Sequence, residues 1–546
     1  MPSVLNSLGF QSTRRPAIYT RVDASALAGG ALESGNIAIV GDFPTFASNT
    51  PIQFSSRRSM VDYDPDDQEL SMLAQLSFDP SDDPAVSSGA SSVRVVNARL
   101  GAVAASFTFG ALTCTSSIYG PRSNSTRGTL SINGDTHTLV IDRGGRSESF
   151  EVENNVLATV TNNKAADLDF DCVSGVITIS SGGSTLLTIT ENEAPDLRTA
   201  LILVNQLEDV EAVLVEPRSI PLSELDFQDH TIASGGGALS LKAPNQALLN
   251  ELKASKLVSS TIDTSAAGAA LASSTVYASG GAQGGGHDYV GALAQTEALN
   301  IQILVMFDFM EGRQILLQDH LKAAASAGYE RQAYISIEQS STLGQVRARA
   351  AKFNAADVAL TSQDITLYDA RGAIVEKDSR FTALMLAGMQ AGSDIGEPLT
   401  RKRPRIISFK QSWSSHNDAE QALQSGTVFL TSGPVGPRVE RSITTHLEDN
   451  NPILSEISAY ESVITSLRDL RVSLADQIGR PTQASQMSLI SARVTARLTA
   501  QVRDGMIKRF ENVTLEDLGD QVAVSYDLAP LEPLNFITIT AITKRF

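Results

Sequence analysis

Apolar residues follow three rhythms along this chain. At 36–41 and again at 300–307 they run almost without interruption, the pattern of a strand buried on both faces. From about 93 to 232 they alternate with polar residues. That period predicts short strands at 93–96, 106–109, 112–115, 128–132, 137–141, 149–152, 175–179 and 185–189, separated by Asn-Gly, Gly-Gly and Asn-Asn turns. From 298 to 432, strand and helix patterns take turns. Strands are expected at 300–307, 332–337, 358–368, 405–409 and 427–431, and helices at 313–327, 344–353, 381–390 and 418–423. Repeated β-α-β order implies a mostly parallel sheet with helices on its faces. In the last hundred residues, Ile457, Tyr460, Ile464, Leu467, Leu474 and Ile478 recur at three and four. Ile490, Val494, Leu498 and Val502 repeat that spacing, so two long amphipathic helices are predicted, followed by strands at 522–526 and 535–542.

The ends of the chain differ from its middle. Residues 16–22 alternate like a strand but have no hairpin partner nearby, so 1–35 reads as an arm. The acid-rich stretch 54–84 reads as a surface excursion around one helix near 68–76, and the glycine-rich 279–286 as a flexible bridge. The expected organisation is an arm (1–35), the start of a core (36–92), an inserted β-rich domain (93–232), a linker back to the core (233–297), an α/β core (298–437) and a small α+β domain ending in a strand (438–546). Whether one or two domains are inserted stays open. The fold class is α+β and α/β, multidomain.

Composition narrows the function. Of 546 residues, 42% are hydrophobic and 19% charged, as in a globular chain. Asp and Glu number 61 against 43 Lys and Arg, a net charge of −18, which argues against binding a phosphate backbone. No direct nucleic-acid partner is expected. Neither a signal-peptide core nor about 18 uninterrupted apolar residues is found, so the expectation is a protein made in a cytoplasm without membrane insertion. Cys114 and Cys172 are too few for a disulfide scaffold. They read as buried free thiols or, since both fall in the β-rich part, as a bridge formed late.

Candidate chemistry is sparse. The loop 280–286 lacks the Gly-Lys-Ser/Thr ending of a phosphate loop. Asp308, at the end of an apolar strand, occupies the position of a magnesium-binding acid in nucleotide hydrolases, but without a phosphate loop it reads as a turn or cap residue. The six histidines, 137, 230, 287, 320, 416 and 446, form no metal-ligand spacing, and no nucleophile motif occurs. No catalytic residue, metal site or cofactor is assigned, and the chain is read as a non-enzyme. The cations Arg401, Lys402, Arg403 and Arg405 cluster before a strand; they read either as a patch for an acidic partner or as a solvated loop.

Taken together, these segments resemble the contractile tail sheath proteins of bacteriophages. Arg15-Pro-Ala-Ile-Tyr-Thr-Arg-Val22 is similar to that family's terminal arm, and Ile37-Ala-Ile-Val-Gly41 to its first core strand. Leu112-Thr-Cys-Thr-Ser-Ser-Ile-Tyr-Gly120 with Asn124 resembles a further segment. Val439-Glu-Arg-Ser-Ile-Thr-Thr445, the helix holding Asp469 and Leu470, Gln477-Ile-Gly-Arg480, Asp504-Gly505 and Pro533-Leu-Asn-Phe-Ile-Thr-Ile-Thr540 keep the family's order. The resemblance implies an α/β sheath core with inserted β domains, a small C-terminal domain and strand arms at both ends. Pro16, Ile18, Tyr19 and Val22, with Phe536, Ile537, Ile539 and Ile542, would then add to sheets of neighbouring copies. It also implies a helical homo-oligomer around a tail tube protein, ended by baseplate and tail terminator proteins, in a virion tail assembled in the host cytoplasm. The other readings are a sheath of a non-viral injection machine and a baseplate or receptor-binding protein.

Overall fold

The computed structural model describes residues 35–535, apart from 154–155, 174, 216–219, 223–224, 226, 264–270, 411–414, 448, 450, 479–483 and 518–521. These divide into two compact units. One is formed by the described parts of Met1–Ile39, Gln75–Val93 and Glu297–Phe546, the other by Val40–Ala74 and Arg94–Thr296.

The first unit is organised by a sheet in which Asn36–Gly41, Ile303–Phe307, Gln332–Ser336 and Val358–Thr361 are neighbours in that order. Strands Ile303–Phe307, Gln332–Ser336 and Val358–Thr361 are parallel. Every residue of these three and of Asn36–Gly41 is buried, as the uninterrupted apolar runs require when both faces are covered. Helix Ser379–Ala391 covers the sheet and is itself buried over most of its length. A polar chain crosses this dry layer. Tyr334 Oη donates to Gln390 Oε1 at 2.9 Å, Gln390 Nε2 to Gln332 Oε1 at 2.6 Å, and Gln332 Nε2 to the Ile457 carbonyl at 3.0 Å. Glu461 joins it through Gln390 and also accepts the Gly396 N–H.

Several expectations change in detail. The run 358–368 is two strands, because the buried Gln363 interrupts it: its amide bonds both the N–H and the carbonyl of Leu430, standing in for a strand neighbour. The expected strand 427–431 becomes Leu430–Gly433 in a hairpin with Gly436–Val439, preceded by a single parallel bridge of Thr427 to Leu360. The expected 405–409 shrinks to Ser408–Phe409, which pairs with Ile365–Tyr368. The helix expected near 68–76 is Gln68–Phe78, and it is no surface excursion: Leu70, Met72, Leu73 and Leu76 are all buried.

In the second unit the period of two holds, but it builds two cores. One lies among Leu112, Cys114, Leu130, Leu139 and Ile141 under helix Pro244–Leu252. Its sheets run Val258–Ile262, Leu112–Ser116, Ser106–Phe109 and Ser274–Tyr277, Arg127–Asn133, Thr136–Arg143, Arg146–Glu153. The other core gathers Val160, Leu168, Phe170, Cys172, Ile177 and Ile179 under helix Leu197–Val204. Its sheets run Ser184–Ile189, Val176–Ser181, Leu168–Val173, Phe227–Ile232 and Val210–Leu214, Ala158–Asn162, Gly237–Leu241. Residues 233–297 thus hold strands of both sets. Cys114 and Cys172 sit in different cores and no disulfide joins them, which removes the late bridge; burial pushes the Cys114 thiol up to about 11.

The C-terminal part has a core of its own. Leu470 of helix Ile457–Leu474 meets Ile490, Val494 and Leu498 of helix Ala484–Arg503, with Ile507, and a hairpin of Arg509–Asp517 and Val522–Ala529 packs against them. Strand 522–526 was legible in the sequence. Its partner was not, because a bulge after Glu511, with Asn512 at φ +52°, breaks the alternation. Leu467 and Ile478, counted on the apolar face, are exposed at 39% and 86%.

Two predictions follow from this packing. Gly388 lies inside helix Ser379–Ala391, where a Cβ would come within 2.3 Å of the Leu76 carbonyl oxygen. Gly388→Ala should therefore lower the melting temperature, because overpacking costs about 1–3 kcal/mol while helix propensity returns only about 1 kcal/mol; an unchanged or raised midpoint would refute the close approach. Burial raises the Glu461 carboxyl from 4.5 to about 7. Its proton is held more tightly in the folded chain, so its contribution to stability is full below about 4.5 and is lost as pH rises through about 7. Denaturant titrations should show Glu461→Gln gaining on the wild type between about pH 5 and about pH 8; a gap that does not change with pH would show that Glu461 is not the group responsible.

Candidate assembly interface

Residues that could have carried chemistry are engaged in holding the fold. Asp308 Oδ1 accepts the Met310 N–H at 2.7 Å and Oδ2 pairs with Arg313 at 2.5 Å, which makes it a turn residue before helix Glu311–Ser326. Among the described residues no group of His, Cys, Asp and Glu could hold a metal ion. His320 is buried beside Arg331, and its imidazole is pushed down to about 4 by burial first and the guanidinium second. His287 bonds Asp42 at 3.0 Å. The glycine-rich 279–286 is pinned in place: Ser279 bridges Ser106, Ala282 bridges Val103, and Asn124 binds both the N–H and the carbonyl of Gly281.

Three of the four cations in the basic cluster form ion pairs inside their own unit. Arg401 pairs with Glu440 at 3.1 Å, Lys402 with Glu397 at 2.5 Å, and Arg405 with Asp82 at 2.6 Å and with Asp79. Arg403 donates its backbone N–H to Asp83 at 3.1 Å. Of the two readings of this cluster, an open patch for an acidic partner does not match these internal pairs.

What remains is the C-terminal hairpin, among the described residues a sheet of two strands. Helices Ile457–Leu474 and Ala484–Arg503 hold it through apolar contacts of Phe510, Val513, Leu515, Val524 and Leu528. Between those helices Asp469, 3% exposed, receives Arg497 Nε at 2.5 Å and Gln501 Nε2 at 2.7 Å. Ser466 Oγ donates to Gln501 Oε1 at 2.6 Å. A paired and hydrogen-bonded buried carboxylate locks the helix pair in one register. Among the described residues each hairpin strand has one partner, so each presents one edge of backbone N–H and carbonyl groups with no neighbouring strand. Apolar side chains are exposed nearby as well, Val472 on the first helix at 61% and Ile478 in the connection after it at 86%.

The segments expected to fill such edges lie outside the described residues. Pro16, Ile18, Tyr19 and Val22 fall in 1–34, and Phe536, Ile537, Ile539 and Ile542 in 536–546. The structure does describe the roots of both. Gly35 leads into the buried strand Asn36–Gly41, and Asn535 lies against Glu456 at 2.9 Å. Arg441 also binds Glu456, Nη2 at 2.6 Å, and the neighbouring segment is fixed by Thr444 N–H to Ser455 and by Thr445 Oγ1 to Ala355. Arg441, Thr444 and Thr445 belong to the stretch 439–445 that carried the resemblance. Glu456 was not singled out there, since a carboxylate before a helix is a common cap and nothing local marks it as buried.

No family model matches the chain. The tail sheath protein of Bacillus phage SP01 is 26% identical over 167 residues, 30% of this chain and 29% of that protein. The tail sheath protein of Staphylococcus phage Twort is 25% identical over 232 residues, 41% of this chain and 39% of that one. That of Mycobacterium phage Bxz1 is 26% identical over 267 residues, 46% and 45%. The chain thus spans less than half the length of the curated relatives it matches. In fold, the sheath tail protein of Listeria innocua aligns with a TM-score of 0.57 at 13% identity, covering 94% of this chain and 95% of that one. That of Desulfitobacterium hafniense aligns with a TM-score of 0.56 at 13% identity, covering 95% and 97%. By sequence the chain is a relative of the bacteriophage tail sheath proteins, and its fold is that of solved sheath tail proteins.

Proposed function

We propose that this chain is the structural subunit of a contractile tail sheath, polymerising helically around a tail tube. The unpaired edges of the C-terminal hairpin carry the reading, because an exposed edge is a template for a strand from another chain. Residues 16–22 of one copy and 536–542 of another fill those edges in adjacent subunits, through Pro16, Ile18, Tyr19, Val22, Phe536, Ile537, Ile539 and Ile542. Such contacts join different surfaces of two copies and do not close on themselves, so they propagate as a helix. The exposed Val472 and Ile478 on the same domain suit a contact with the tube.

Contraction needs two arrangements of these contacts. The sheath assembles extended and metastable; a baseplate signal lets subunits rotate outward into a shorter, wider state with more favourable contacts. Donated strands keep the copies joined throughout, and small free-energy differences per subunit sum over many copies into work that drives the tube through a bacterial envelope. No cofactor, nucleotide or catalytic residue enters this cycle. The net charge of −18 suits exposure on a large particle, since like charge keeps particles apart.

Electron microscopy of the purified chain at raised concentration should show hollow helical tubes of uniform width. Deletion of residues 1–22 should leave the circular dichroism spectrum and melting temperature unchanged and abolish the tubes. A wild type that stays monodisperse on its own and also fails to coat isolated tail tubes would refute the sheath reading and favour a baseplate or receptor-binding role.

A further inference from the structure

The chain does not swing free where the C-terminal hairpin ends. After Ala529 it passes the buried Pro530 to Leu531, whose side chain lies so close to Gly396 that a Cβ at that glycine would sit 2.8 Å from Leu531 Cδ1. Gly396 has φ +79°, a conformation that only glycine adopts freely. Four residues on, Asn535 Nδ2 donates to Glu456 Oε1 at 2.9 Å. The same oxygen receives Arg441 Nε at 2.9 Å and Nη2 at 2.6 Å. Glu456 is 3% exposed at its side chain and stands immediately before helix Ile457–Leu474, with its backbone bridged to Ile443. The segment 530–535 is therefore held at two points, by shape at Gly396 and by charge-assisted hydrogen bonds at Glu456.

All three donors converge on one oxygen. Glu456 Oε2 and Asn535 Oδ1 are buried without a hydrogen-bond partner, a cost that water would remove if the contact opened. A contact of that kind adds little to global stability. What it does is fix the place and direction in which the chain continues.

We propose that Arg441, Glu456 and Asn535 form an intrachain clip that sets the point from which residues 536 onward leave the subunit, with Asn535 a positioning residue for strand donation. This rests on the strand-donation reading above and adds a role for three residues that do not touch the acceptor. Asn535 then stays with its own subunit, so the donated strand begins after it. Clipped at the root, the strand has fewer directions to search, and the loss of freedom on binding is partly met beforehand.

The test uses the full-length chain in three forms: wild type, Asn535→Ala and Glu456→Gln. The glutamine keeps an oxygen for Arg441 and Asn535 and offers Asn535 Oδ1 a donor, so it should preserve the clip. Hydrogen exchange read by mass spectrometry should be about tenfold faster at 530–535 in Asn535→Ala, as loss of a hydrogen bond to a charged group predicts, and near wild type in Glu456→Gln. The global unfolding transition should be unchanged in Asn535→Ala. Tube formation should fall several-fold in Asn535→Ala and survive in Glu456→Gln. Equal exchange in wild type and Asn535→Ala would refute the clip, and fast exchange with normal tube formation would refute its positioning role. If the wild type forms no tubes, strand donation is the reading that falls, and the exchange data still decide whether Asn535 is clipped.

Discussion

A parallel sheet cannot leave a face in water, and the first unit is arranged around that constraint. Four fully buried strands need a cover on each side, and helix Ser379–Ala391 supplies one by being apolar nearly all round. Its dry environment has consequences for every polar group placed there. Tyr334, Gln390 and Gln332 satisfy one another and end on the Ile457 carbonyl, so the helix that begins the C-terminal domain is tied to the sheet by hydrogen bonds that have no competing water. Glu461 is drawn into the same layer, and burial raises its carboxyl far above the usual range.

The C-terminal domain inherits its position from that tie and its rigidity from Asp469. Two helices and a two-stranded hairpin would be marginal alone. Held on the α/β core at Ile457 and cross-linked by Asp469, Arg497 and Gln501, they form a firm base on which hairpin edges can stay open without unravelling. Open edges in a mobile domain would invite random association. On a fixed domain, the strand donation proposed above would be selective in register and direction.

The second unit obeys a simpler rule. Its strands bury alternate residues, each small sheet has one dry face, and two sheets with one helix close each core. Two small cores serve where one long alternating run was visible, because alternation states which face is buried and not against what. Helix Leu197–Val204 was hidden in that run and Pro244–Leu252 in the stretch read as a linker, although the Asp196 cap and Pro244 at the first turn are local signs of both.

Order and type of elements were largely written in the local pattern. The buried strands, the helices of the α/β part, the two long C-terminal helices and the alternating strands rest on periodicity, which is a property of neighbours along the chain. The order of segments also carried the kinship to sheath proteins. Partners far apart in the chain were beyond its reach. Asn535 meeting Glu456, Arg405 meeting Asp79 and Asp82, Gln363 standing in for a strand beside Leu430, and the bulge at Asn512 all depend on contacts whose cost and gain appear only when distant residues are brought together. The same holds for Cys114 and Cys172: the sequence by itself left them as buried free thiols or a late bridge, and only the tertiary structure put them in separate cores, because each follows the sheet its own strand completes.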